Sequence, residues 1–358
     1  MPESDDLAVI TELSHEFGVP TYVRGGGGNT SVKDASTLWI KPSGTSLGEM
    51  TRESFIPMSR EKLAGLYQTT FPTEDKARES AVKDFIATTL LPGATGRPSV
   101  EAPLHNSFPQ RFVVHTHPSL VNGMTCGKNG RTFAATAFPQ ALWVDFIEPG
   151  YTLSQAIRKE MLAYAERTGS PPEILFLGNH GVFIAHDTAA GIRSLYQEVM
   201  TKISARVSGA GFAGDPEKGP EPSPAAQEAA KRVLASVLGA DASEIVAAGH
   251  FSLPTGAISP DHIVYCKSYM YRGEISAAGL TAYQARYGVW PRVAEASDAV
   301  YGFGSSRKVA DLALEMAWDA ALIVRYAQAF GGIQYLSERF VKFIEGWEVE
   351  SYRQRLTQ

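Results

Sequence analysis

Apolar positions recur every three to four residues over 7–17, 75–91, 153–168 and 188–207, and this period predicts four amphipathic helices. The first stops at Gly18-Val19-Pro20 and the second at Pro92-Gly93, both of which break helices. Shorter helices are predicted over 98–106 and 118–126, the latter starting at Pro118, whose fixed φ suits a first turn. Between them lie apolar runs of strand length at 30–33, 37–40, 112–117 and 141–146. Residues 174–185 read as two strands flanking Asn179-His180-Gly181. The pattern then changes. Residues 208–225 are rich in Gly, Pro, Ser and Glu and read as a linker. After it come a helix over 227–238, a strand over 262–267, another over 291–301, and long helical patterns over 308–330 and 334–356. At 358 residues the chain is too long for one ordinary core. The expectation is an α/β protein of two domains: 1–207, a linker over 208–225, and a smaller α/β domain over 226–358.

One of the strand patterns carries chemistry. Phe112-Val113-Val114 runs into His115-Thr116-His117, and side chains two apart on a strand share a face. Both imidazoles can therefore address one point. A third, His180, follows the apolar run 173–177 in Gly178-Asn179-His180-Gly181. Three nitrogen ligands with an open position make the catalytic form of a metal site. The alternative reading is a set of strand histidines with satisfied hydrogen bonds. Imidazoles suit Zn²⁺, and also Mn²⁺, Fe²⁺ or Co²⁺. Glu101 lies upstream with His105 four residues on. A carboxylate near a metal is a candidate base; the rival role for Glu101 is an acid at a helix N-terminus, and for His105 it is packing.

Two loops offer backbone donors. Gly25-Gly26-Gly27-Gly28-Asn29-Thr30-Ser31 enters a strand, so it fits neither a nucleotide P-loop nor a dinucleotide fingerprint, though exposed N–H groups there can hold a phosphate. Lys41-Pro42-Ser43-Gly44-Thr45 is a second cluster of small donors. Plain turn chemistry is the alternative for both. Gly44-Thr45-Ser46-Leu47-Gly48 has the spacing of a nucleophile elbow but no convincing helix after it. Gly302-Phe303-Gly304-Ser305-Ser306 precedes a helix, and capping by Ser305 or Ser306 is the favoured reading. Tyr335, Phe340, Phe343 and Trp347 form a helical stripe assigned to core or interface.

Composition narrows the classes. With 44% hydrophobic and 20% charged residues the chain is of ordinary globular type, and a net charge of −5 argues against a nucleic-acid partner. No apolar run approaches the roughly 20 residues of a membrane span, and no signal-peptide pattern opens the chain. Cys126 and Cys266 lack CxxC spacing. A reducing, cytoplasmic location with both thiols buried is expected.

Taken in order, Gly28-Asn29-Thr30-Ser31, Ser43-Gly44, Ser99-Val100-Glu101, His115-Thr116-His117 and Asn179-His180-Gly181 resemble the class II aldolase/adducin family over about residues 5–207. GGGGNTSVK, LWIKPSGT, RPSVEAPLH and ALWVDFIEPG are similar to the aldolase part of bifunctional rhamnulose-phosphate aldolase/dehydrogenase proteins, as are Ser259-Pro260-Asp261-His262 and Phe343-Ile344-Glu345 in the second unit. The dehydrogenase domain of those proteins has no counterpart in this sequence. The resemblance implies an αβα sandwich around a mainly antiparallel sheet. It implies Zn²⁺ on His115, His117 and His180, Glu101 as acid/base, and phosphate contacts at Gly28, Asn29, Ser43, Gly44 and Ser99. It implies a homo-oligomer, usually a tetramer, acting on a small sugar or sugar phosphate. The reaction it implies is reversible retro-aldol cleavage of a ketose, as its 1-phosphate, to dihydroxyacetone phosphate and an aldehyde. The alternatives are a 4-epimerase or decarboxylase on the same site, or a non-catalytic adducin-like scaffold. Val100 departs from the Ser found there in many members, and Tyr151 is the nearest match to the tyrosine that protonates the leaving group in fuculose-phosphate enzymes.

Overall fold

The computed structural model describes residues 4–346, in two units. The first runs to Thr125 and resumes over Asn129–Ala205; the second takes Cys126–Lys128 and continues from Arg206.

The first unit begins with α1 (Ser4–Phe17), β1 (Asn29–Lys33), β2 (Thr37–Ile40), β3 (Ile56–Ser59), α2 (Arg60–Gly65), α3 (Asp75–Ala87) and α4 (Ala102–Ser107). It continues with β4 (Phe112–Thr116), α5 (Ser119–Thr125), α6 (Gly130–Ala137), β5 (Leu142–Val144), α7 (Tyr151–Thr168), β6 (Ile174–Leu177), β7 (Gly181–His186) and α8 (Ala189–Gly209). Its seven strands order as β3-β2-β1-β4-β7-β6-β5, and only the β5–β6 pair is parallel. β4 is central and buried along its whole length, which is why it reads as a continuous apolar run. Its residues alternate between two helical layers. Val113 joins Phe183, Leu175 and Leu177 against Leu104 and Phe108 of α4 and Leu153, Ile157 and Met161 of α7. On the other face the Tyr196 hydroxyl of α8 donates to Val114 O at 3.3 Å and lies 2.8 Å from Thr116 Oγ, while its ring stacks on Phe17 of α1 at 4.2 Å. The unit is an αβα sandwich around a mainly antiparallel sheet, as expected.

The second unit contains α9 (Pro224–Leu238), β8 (Glu244–Gly249), α10 (Pro260–Cys266), β9 (Tyr271–Arg272), α11 (Ala277–Tyr287), β10 (Val293–Glu295), β11 (Ala299–Gly304), α12 (Arg307–Ala327) and α13 (Glu338–Gly346). Its sheet orders as β8-β11-β10-β9. Val293 and Val300 face Ala313, Met316 and Ala317 of α12, while Ala294, Tyr301 and Phe303 face Leu234 of α9 and Leu280 of α11. The Ser306 side chain caps α12 by accepting from Val309 N–H. Cys126 and Cys266 are buried and form no disulfide. Among the described residues no helix is long and apolar enough to cross a membrane.

Several expected elements differ. The strand expected over 262–267 is the helix α10, buried on all sides, so its apolar run has no period to read. Ser259-Pro260 was the available signal, because proline suits a first helical turn. The strand over 291–301 is two strands, β10 and β11, joined by a turn. The helix expected over 75–91 stops at Ala87. The helix expected from 98 begins only at Ala102, leaving Glu101 as its N-cap. Of the pattern over 334–356, α13 covers Glu338–Gly346, and 347–358, with Trp347, lies outside the described residues. β3, α2, α6, β8, β9 and α11 were not expected.

Candidate metal centre

His115 is the penultimate residue of β4, on the face that looks toward α4, its ring stacked flat on Phe183 of β7 at 3.8 Å. Register supports this contact, since His115 pairs with Phe183 and, on the other side, with Asn29 of β1. His117 lies one residue beyond the strand on the same face, its N–H donating to Tyr22 O at 2.9 Å. His180 comes from the tight β6–β7 turn. Asn179 takes φ 51° there, and Gly178 and Asn179 N–H groups donate to Val144 O and Thr125 O at 2.9 and 3.1 Å. Asparagine tolerates this left-handed backbone better than most residues.

Two glycines let the backbones close up around these rings. A Cβ on Gly28, which has φ 63°, would stand 2.7 Å from His115 O. A Cβ on Gly181 would stand 2.5 Å from Thr116 O and 2.7 Å from His117 Cδ2.

One ligand nitrogen from each of His115, His117 and His180 lies within 4.8 Å of the others. His115 Nδ1 is 2.9 Å from Val182 O. A carbonyl only accepts, so Nδ1 carries the proton and Nε2 presents its lone pair to the cluster. His117 Nε2 stands 2.9 Å from that atom. Two ring lone pairs at such a distance need a proton or a cation between them. The Glu101 carboxylate adds negative charge, with Oε2 3.6 Å from His115 Nε2 and Oε1 3.8 Å from His180 Nε2. Three imidazoles beside a carboxylate fit a divalent cation.

Glu101 caps the N-terminus of α4 without using its side chain as a cap. Its carboxylate instead accepts from Asn29 Nδ2 at 2.5 Å. Asn29 Nδ2 also donates to Ser99 Oγ at 3.2 Å, and Asn29 Oδ1 meets His105 Nε2. His105 Nδ1 is 2.7 Å from Ser31 Oγ. His105 is fully buried, and desolvation, with His115 and Lys33 nearby, holds its pKa well below the usual range, so the ring is neutral.

Of the remaining residues singled out from sequence, Ser99 meets Glu101 and Asn29 directly. Ser99 Oγ accepts from Glu101 N–H at 3.3 Å, Ser99 N–H donates to Lys41 O at 3.1 Å, and Ser43 N–H donates to Arg97 O at 2.8 Å. Hydrogen bonds thus join the Ser43 and Ser99 segments to each other, and Asn29, at the start of β1, to Ser99. Lys41 is buried and braces the Ser43 segment by donating to Thr45 O at 2.6 Å. Ser46 is followed by a short 3₁₀ turn, Leu47–Glu49, and no nucleophile elbow forms. Tyr151 heads α7 with its ring on Phe71, in an apolar cluster with Leu63, Leu66 and Ile86, and its hydroxyl accepts from Gln155.

The model of the class II aldolase and adducin N-terminal domain matches residues 8–204. A protein of Bacillus subtilis (strain 168) described as the uncharacterized oxidoreductase YuxG is 26% identical over 193 residues, 51% of this chain and 26% of that protein. The chain therefore spans about a quarter of the length of that curated relative. Among solved structures, the N-terminal class II aldolase domain of a conserved protein from Thermoplasma acidophilum is 21% identical, with a TM-score of 0.49 over 58% of this chain and 96% of that one. A sugar-phosphate aldolase from Thermotoga maritima is 16% identical, with a TM-score of 0.40 over 59% of this chain and 97% of that one. Both structures are too distant to add to the sheet order described above.

Proposed function

The chain belongs to the class II aldolase and adducin family, and from that premise we propose that it is a metal-dependent aldolase, cleaving a ketose 1-phosphate reversibly to dihydroxyacetone phosphate and an aldehyde. The observation that carries this reading is the placement of Glu101, a buried carboxylate within 4 Å of two of three converging imidazoles. His115, His117 and His180 would hold the cation, Zn²⁺ by preference. A cation bound there supplies Lewis-acid polarisation of a carbonyl oxygen. Glu101 takes a proton from the carbon next to the carbonyl of dihydroxyacetone phosphate in the synthetic direction and returns it to that carbon in cleavage. The Asn29 amide holds the carboxylate on the metal side of the site. Backbone N–H groups of the Gly28 and Gly44 loops, with the Ser43 and Ser99 hydroxyls, receive the phosphate.

The test is a panel of ketose 1-phosphates and free ketoses incubated with the metal-loaded protein. Release of an aldehyde with dihydroxyacetone phosphate supports the reading. An epimer or carbon dioxide as product replaces it with a 4-epimerase or a decarboxylase. No stoichiometric metal, and no turnover after adding Zn²⁺ or Mn²⁺, replaces it with a non-catalytic scaffold. Assembly as a homo-oligomer and a cytoplasmic location belong to the same proposal, and light scattering of the purified protein checks the first.

A further inference from the structure

We infer that His105 is a positioning residue, which locks the Asn29 amide in the one orientation that lets it donate to Glu101. The inference rests on the reading of Glu101 as the proton-transfer group.

The arrangement follows from two matched repeats. Alternate residues of β1 share a face, and Asn29 lies on the His115 face because the two pair directly. Ser31 therefore lies there too. On α4, Glu101 and His105 are four apart and sit one above the other, joined by the His105 N–H bond to Glu101 O at 2.9 Å. Two strand residues advance about 6.7 Å and four helical residues about 6 Å. The strand pair and the helix pair therefore come into step, Asn29 against Glu101 and Ser31 against His105.

Donor and acceptor chemistry then fixes every proton. Asn29 Nδ2 is the donor to the Glu101 carboxylate. This turns Oδ1 toward His105, whose Nε2 must be the N–H donor. A neutral imidazole has one N–H, so Nδ1 is bare and accepts from the Ser31 hydroxyl. Donation runs one way, from Ser31 to His105 to Asn29 to Glu101. All four residues are buried, so water cannot readily take over a lost partner. Desolvation keeps the His105 ring neutral, as the chain of donation requires. Without the His105 N–H, Asn29 Oδ1 loses this buried donor, and the amide is held from its Nδ2 end by Glu101 and Ser99. The Asn29 side-chain hydrogens are committed to Glu101 and Ser99, so its role here is support of the base rather than a side-chain contact to phosphate.

The experiment uses the metal-loaded protein and reads exchange of the carbon-bound hydrogens of dihydroxyacetone phosphate with D₂O by NMR. His105→Leu removes the donor at similar volume. It should lower kcat about 10- to 100-fold, the range expected when a buried acceptor loses its donor. KM and metal stoichiometry should stay at wild-type values. His105→Gln places an amide N–H near the position of Nε2–H and should recover most of the rate. A folded, metal-replete His105→Leu protein exchanging at the wild-type rate overturns the inference, and so does a His105→Gln protein as slow as His105→Leu. Should His105→Leu fail to fold, ¹⁵N NMR of the histidine-labelled wild-type protein decides. The inference requires the Nε2–H tautomer at His105, and an Nδ1–H tautomer sinks it. Glu101→Gln is the control for the underlying reading. Full exchange in that variant removes Glu101 as the base, while the tautomer still reports on His105 and Asn29.

Discussion

At the residue scale the centre depends on a few atoms placed where nothing else fits. Glu101→Gln keeps the shape and removes the proposed base, so turnover should fall roughly 100-fold or more while the protein retains its metal, as measured by elemental analysis beside a product assay. Gly181→Ala tests the packing around the rings. Its Cβ would press on Thr116 O and His117 Cδ2, at 2.5 and 2.7 Å, so both backbone and ligand must give way. A stability loss of about 1–3 kcal/mol is expected from such overpacking, with weaker metal binding, read by denaturant titration and metal competition. The His-Thr-His pair was legible in the sequence because a strand repeats every two residues and β4 supplies the strand. Glu101 was legible only as one of two alternatives, since a carboxylate at a helix start is common without any metal. The link from His105 through Asn29 was not legible. Those residues are 76 apart in the chain, on β1 and α4, and they meet through the packing of α4 on the sheet.

At the element scale, signals with a local cause were read well, and signals that depend on burial were not. The long helices α7, α8, α9 and α12 show an apolar period that survives without knowledge of neighbours. The run Ile263-Val264-Tyr265-Cys266 does not, because every side of α10 is buried and strand and helix patterns then look alike. The short edge strand β3 was missed because Pro57 sits inside it, and proline is tolerated in a strand mainly at an edge. Capping is a local signal that can be tested. Ser306 accepts from Val309 N–H at the start of α12. Ser306→Ala should cost about 1 kcal/mol, seen as a lower midpoint of denaturant unfolding, and Ser306→Asp should restore it.

At the scale of the whole molecule the metal should couple the site to stability. The three proposed ligands come from β4, the segment after it and the β6–β7 turn, which are joined only when the sheet is assembled. A cation that binds the folded state alone adds about 4 kcal/mol when free metal exceeds its dissociation constant a thousandfold. Chelation should therefore abolish turnover and lower the thermal midpoint together, and Zn²⁺ or Mn²⁺ should restore both, as followed by a melting assay beside the product assay. Retained activity in chelator would remove the metal from the mechanism.

Sequence by itself determined the helices and strands of the first unit with a clear period, the histidine triplet and the two Gly-containing loops, because each is written in a local period or a short motif. Tertiary structure alone decided the strand order, which sets β1 beside β4 and so sets Asn29 and Ser31 against α4. It also decided which polar groups face each other in that row. Donor and acceptor roles depend on which groups face each other away from water, and a linear chain does not specify that until it has folded.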